Sequence, residues 1–251
     1  MQVNRGPRFD FVGMILDYSK PGKLIVDMRE YIKRMIEEFE YEIPGKAKTP
    51  VAEHLFKINN MCEKLNSKMA ADFHTFVAKG LFACKRGRPD IHLAMAFLSI
   101  RVTEPDTDDW KKLLRMMSYL KANEELVLTL EADDLRLMRW YIDSSFAVHN
   151  DMRGHTGAGL TLGRGSVYNK STKQKINGKS STEIELIGVD DILPQVLWNN
   201  NLMEAQGWTM ESKVFQDNNS TMLLATNGQL SSSNRTKHIN VRYYFVKDCI
   251  D

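Results

Sequence analysis

The stretch from Ser180 to Ile187 constrains this chain most. Ser180 through Glu183 has the S-x-x-E spacing of a capping box, in which a serine hydroxyl and a glutamate satisfy orphan backbone donors at a helix start. Ile184, Ile187, Ile192, Val196 and Leu197 continue it as a helix, with Pro194 expected to kink or divide it because proline lacks a donor and clashes one turn back. Taken alone, Glu183 is only a cap. Two other carboxylates change that reading. Asp143 ends the apolar run Leu137 to Ile142, and Asp217 ends a strand-like run at about 209–216. Strand, helix and strand, each delivering one acid, would form an oxygen cage for a hard divalent cation. Glu185 competes with Glu183 for the central place. The two lie about 200° apart on a helix, so only one can face the cage.

Composition bounds the rest. The 251 residues suffice for one large domain or two small ones, and 43% hydrophobic with 26% charged residues is ordinary for a globular protein. No apolar run approaches the ~18 residues of a membrane span. The segment Met1 to Asp10 has no signal-peptide core. Cys62, Cys84 and Cys249 fit neither a zinc spacing nor a disulfide framework, so a reducing, intracellular setting (cytoplasm or nucleus) is expected. A net charge of +2 does not argue for nucleic acid. The segment Arg164 to Lys179 carries Arg164, Lys170, Lys173, Lys175 and Lys179 with no acid between them, which reads as a solvated basic loop or a phosphate contact.

Residues 8–26 read as a hairpin turning at Ser19-Lys20-Pro21-Gly22. Met28, Tyr31, Ile32, Met35, Ile36 and Phe39 then form one helical stripe. Three more helices are expected, over about 67–85, after Arg88-Pro89-Asp90, and after the acidic turn Asp106 to Asp109. His54, His74 and His92 have no ligand spacing and read as structural or surface. Near residue 124 the pattern changes to short strands: Leu126 to Leu130, Leu137 to Ile142, Ala158 to Leu162, and Gly165 to Tyr168. A helix follows Asp217, and a last one is expected from about Thr236 to Asp248.

Three antiparallel strands, a helix and a further strand open an RNase H fold. Tyr141-Ile142-Asp143-Ser144-Ser145, Arg153-Gly154-His155-Thr156-Gly157, Ser180 to Glu185, Gln216-Asp217-Asn218 and Arg235 to Asn240 together resemble the RNase H domain of a copia-type retrotransposon polyprotein. Phe11-Val12-Gly13-Met14, Arg88-Pro89-Asp90-Ile91 and Trp110 to Leu120 resemble the thumb and connection region of its reverse transcriptase. The expected fold class is therefore α/β. A mainly helical thumb/connection region over 1–132 precedes an RNase H-like mixed sheet with helices over 133–251.

The resemblance implies hydrolysis of the RNA strand of an RNA–DNA hybrid. It implies Asp143, Glu183 and Asp217 as catalytic and metal-binding residues for Mg²⁺, with Mn²⁺ as a substitute, and it favours Glu183 over Glu185. Hybrid contacts are expected from Arg153, His155, Lys170, Lys173, Lys175, Lys237 and His238. No Tyr-x-Asp-Asp occurs, so polymerisation by this chain is not expected. In the family a further strand and a last helix bring a fourth aspartate. Neither Asp248 nor Asp251 matches it, so weakened metal affinity and low activity are expected. The alternative is a catalytically inactive module that binds nucleic acid or protein. A third expectation is self-association, or pairing with a partner chain, through an open sheet edge.

Overall fold

In the computed structural model, which describes residues 6–227, the chain turns at Val12-Gly13 where a single strand was expected. Both residues have positive φ, +48° and +76°, which is the geometry of a two-residue primed turn. The expected hairpin thus becomes a meander of β1 (Arg8–Phe11), β2 (Met14–Asp17) and β3 (Lys23–Asp27), with Phe11 opposite Met14. The chain divides into two compact units. The first runs to Ala132 and includes Arg164–Ser166; the second comprises Asp133–Gly163 and the described residues from Val167.

In the first unit the Met28-to-Phe39 stripe becomes α1 (Arg29–Glu37), which buries Ile32 and Met35. Asn66 caps α2 (Ser67–Cys84) by accepting from the Met69 amide at 3.0 Å. A 3-10 turn at Pro89–Ile91 leads into α3 (His92–Arg101). The Asp106–Asp109 turn is a full capping box for α4 (Thr107–Ala122), and Arg101 clamps both acids at 3.0 and 2.9 Å. Phe39, Phe73, Phe76, Met95, Phe97 and Trp110 fill the core between these helices, and the structural histidine His92 is buried. The strand expected at Leu126 to Leu130 is β4 (Leu128–Ala132), which pairs antiparallel with β3.

The second unit is built on β5 (Leu137–Ser145) and β6 (His155–Thr161), which pair antiparallel with Asp143 opposite Gly157. The two-residue β7 (Gly163–Arg164) belongs to the first sheet, of order β1-β2-β3-β4-β7. The strand expected over 165–168 instead starts at Tyr168, as β8 (Tyr168–Lys173). Much of the expected basic loop is therefore ordered strand, paired to β6. Next come α5 (Ser181–Ala205), β9 (Glu211–Phe215) and α6 (Asn219–Asn227). The second sheet has order β8-β6-β5-β9, with β9 parallel to β5 and, among the described residues, β8 and β9 at its edges. This is a mixed sheet flanked by helices, in the α/β class expected. The helix expected from Thr236 lies outside the described residues.

Alternation along β5 buries Met138, Trp140, Ile142 and Ser144, and leaves Tyr141, Asp143 and Ser145 exposed. α5 covers the buried side with Leu186, Val189, Ile192, Leu193 and Val196. Those residues lie on both sides of Pro194, and burial of both halves in one core keeps the helix undivided; of the expected kink or division, the division does not occur. Pro194 itself is exposed, and next to the carbonyl it cannot serve, Lys170 Nζ donates to the Asp191 carbonyl at 2.9 Å. One turn from Glu185, Gly188 lets α5 approach β5 closely: a Cβ there would lie 2.1 Å from Ser144 Oγ. Gly188→Ala should cost about 1–3 kcal/mol, as overpacking does. Urea unfolding checks this: a lower midpoint with unchanged slope is expected, and an unchanged midpoint would show that the helix has room to shift.

Candidate metal centre

Ser180 starts α5 by accepting from the Glu183 amide at 3.2 Å, and Glu183 Oε2 accepts from the Lys179 amide at 2.5 Å. Ser180 is thus the helix cap, and the Glu183 carboxylate holds the residue before it. Glu183 is buried against the entry loop and does not join Asp143 and Asp217. The expectation that Glu183 faces the cage is corrected: Glu185, on the other side of the helix, takes that place. One carboxylate oxygen each from Asp143, Glu185 and Asp217 lies within 4.8 Å of the others.

Each acid is delivered by a different element. Asp143 stands near the end of β5 on its exposed face. Glu185 comes from the first turns of α5, held near β5 by the Gly188–Ser144 approach. Asp217 follows the end of β9, which the parallel register sets beside β5, with Tyr141 opposite Phe215. Asp217 does not cap α6, because Asn218 does, accepting from the Thr221 amide at 3.0 Å. Thr221 Oγ1 in turn donates to the Thr182 carbonyl and ties α6 to the start of α5.

Gln216 was not singled out as a site residue, yet it orients the central acid. Its Nε2 donates to Glu185 Oε2 at 3.0 Å while its Oε1 accepts from the Asn218 amide at 3.1 Å. The available signal was its place directly before Asp217. Tyr141, Asp143, Gly157, Phe215, Gln216 and Asp217 border an open depression of about 510 Å³. The Tyr141 and Phe215 rings stack there with centroids 4.9 Å apart.

The expected hybrid-contact residues differ in their partners. His155 is buried in β6, with Nδ1 3.1 Å from His149 Nε2 and Nε2 2.7 Å from Ser171 Oγ, so it lines no groove. Burial pushes His149 down to about 4. Lys170 is engaged by the α5 carbonyl. Arg153 and Lys173 share Asp151 at 3.3 and 2.8 Å. Lys175 is exposed. Lys237 and His238 lie outside the described residues.

Three carboxylates so close repel one another. Burial, more than the charges of Asp143 and Asp217, pushes Glu185 up to about 7, against donation from Gln216 and the Ser144 amide. Oxygen donors of this kind suit a hard divalent cation. A cation held among them would neutralise the charge that the fold otherwise carries as a cost, so the residues present fit such an ion. Without one, the folded chain keeps a proton on Glu185 that the unfolded chain releases from pH 4.5 upward. Stability should therefore fall as pH rises from about 4.5 to 7 and level off above, by up to ~3 kcal/mol at about 1.4 kcal/mol per pKa unit. Melts in EDTA between pH 5 and 8 check this. The native chain should lose stability across the window, whereas Glu185→Gln should lose less and be the more stable variant at pH 8. Parallel curves for the two would contradict the burial of this charge.

No protein-family model matches the chain. The retrovirus-related Pol polyprotein from transposon TNT 1-94 of Nicotiana tabacum is 27% identical over 98% of this chain and 19% of its own length. The Pol polyprotein from transposon RE2 of Arabidopsis thaliana is 27% identical over 64% of this chain and 11% of its own length. The chain thus spans a small part of the relatives it matches. Among solved structures, a foamy viral protease-reverse transcriptase in complex with RNA/DNA hybrid aligns over 98% of this chain and 28% of its own, with a TM-score of 0.48 and 10% identity. Among the described residues no helix is long and apolar enough to cross a membrane. The chain is a homologue of copia-type retrotransposon Pol polyproteins over most of its length.

Proposed function

We propose that the second unit is a metal-dependent ribonuclease H that hydrolyses the RNA strand of an RNA–DNA hybrid. The observation that carries this reading is the convergence of Asp143, Glu185 and Asp217 from β5, α5 and the end of β9. The homology to Pol polyproteins supports the substrate class. Asp143, Glu185 and Asp217 would hold Mg²⁺, or Mn²⁺ in its place. When bound, such an ion supplies charge neutralisation at the phosphate and a more acidic water. In the reaction, water adds to phosphorus and the bond to the departing sugar oxygen breaks.

The chain's own residues set the geometry for this. Gln216 fixes the Glu185 carboxylate by donating to it, and its second bond to the Asn218 amide stops the amide group from turning. Asp143 and Asp217 stand exposed at the depression, where a phosphodiester can reach them. Gly157, opposite Asp143, has no side chain to bar the approach. Recognition of a hybrid would rest on 2′-hydroxyls and phosphates, with little dependence on sequence. Lys175 is exposed and without an ion pair among the described residues. Arg153 and Lys173 are half-neutralised by Asp151, so they should contribute less.

Cleavage of a labelled hybrid in Mg²⁺ and Mn²⁺ tests the reading. The native chain should cut the RNA strand, and Asp143→Asn should be slower by about 100-fold or more, equivalent to ~2.7 kcal/mol of barrier. Hybrid binding without cleavage by the native chain would overturn the hydrolase and leave a non-catalytic nucleic-acid-binding module.

A further inference from the structure

The first unit holds a basic pocket that takes no part in the carboxylate cluster. The loop Pro50 to Leu55 faces α4 and encloses about 200 Å³, with His54, Asp108, Lys111, Lys112 and Arg115 on its walls. The cations differ in their partners. Lys112 is buried, donates to the Lys57 carbonyl at 2.5 Å and pairs with Asp108 at 2.9 Å, so those two charges cancel. Among the described residues, Lys111 and Arg115 have no carboxylate partner. They stand one turn apart on one face of α4, a spacing at which like charges repel.

Arg115 is also incompletely bonded. Its Nη2 donates to Thr49 Oγ1 at 2.9 Å, while its Nε–H is buried and meets no acceptor. Leaving a buried donor unmade is unfavourable, more so on a charged group. A guanidinium offers its donors as a planar fork that matches phosphate oxygens, and a neighbouring ammonium adds a second charge. A phosphate in the pocket would meet the open end of the Arg115 guanidinium, beyond the closed-off Nε–H, and its charge would relieve the repulsion between Lys111 and Arg115.

We propose that this pocket is a phosphate-binding site in which Arg115 and Lys111 hold the anion. The phosphate can belong to a nucleic-acid backbone or to a free phosphorylated compound. The site stands in a different unit from the carboxylate cluster and does not depend on the hydrolase reading, so its test is run in EDTA, where no metal-dependent cleavage occurs. Inorganic phosphate is titrated into the whole chain by calorimetry and by the side-chain Nε–H resonance of Arg115. Saturable binding is expected, with a shifted Nε–H signal, at least tenfold weaker in Arg115→Gln and in Lys111→Gln. Lys111 is exposed, so its variant keeps the test valid if loss of the Thr49 contact unfolds the other.

Absence of saturable binding, or equal affinity in native and variant chains, would overturn the site. The source of the phosphate is read from a labelled RNA–DNA hybrid, also in EDTA. If it is a backbone phosphate, each variant flattens the plot of log affinity against log salt by about 0.9. Lost phosphate binding with an unchanged slope supports the site and assigns it to a free phosphorylated compound.

Discussion

The approach of α5 to β5 at Gly188 and Ser144 decides what the second unit can do. It brings a helix start within reach of a strand end, and with it Glu185 within reach of Asp143. The apolar contacts of Leu186, Val189, Ile192 and Leu193 with Trp140 and Ile142 hold the two elements together. Hydrophobic burial of this kind has no direction. A glycine at the crossing point turns general adhesion into a defined distance. The same burial makes the charge on Glu185 unfavourable, and that unfavourable charge is what would give a cation its hold.

Much of the architecture was legible in the sequence because periodicity reports burial. The Met28-to-Phe39 stripe, the Asp106 turn and the apolar run that ends in Asp143 each became the element expected. The failures have separate causes. Val12-Gly13 lacks the usual Asn-Gly signal of a tight turn, so β1 and β2 read as one strand. Pro194 was read by its local penalty, but packing on both sides of it outweighed that penalty.

The choice between Glu183 and Glu185 was not legible at all. Both sit in a run of α5 buried on every side, from Glu183 to Val189, so no apolar stripe marks an inward face. Only the crossing with β5 and the bond from Gln216 distinguish them. The S-x-x-E spacing did report something true, since Ser180 caps the helix and Glu183 accepts from the loop amide of Lys179. The partners of the basic residues were hidden for a related reason. Charge in a sequence does not disclose partners, and Lys170, Arg153 and Lys173 are held by groups of the second unit itself.

The central claim is that Glu185, rather than Glu183, completes a metal-binding carboxylate cluster with Asp143 and Asp217. Mn²⁺ binding followed by electron paramagnetic resonance tests it without requiring turnover. The account predicts saturable binding to the native chain, retained in Glu183→Gln and lost in Glu185→Gln. Binding that survives in Glu185→Gln and is lost in a folded Glu183→Gln would contradict it.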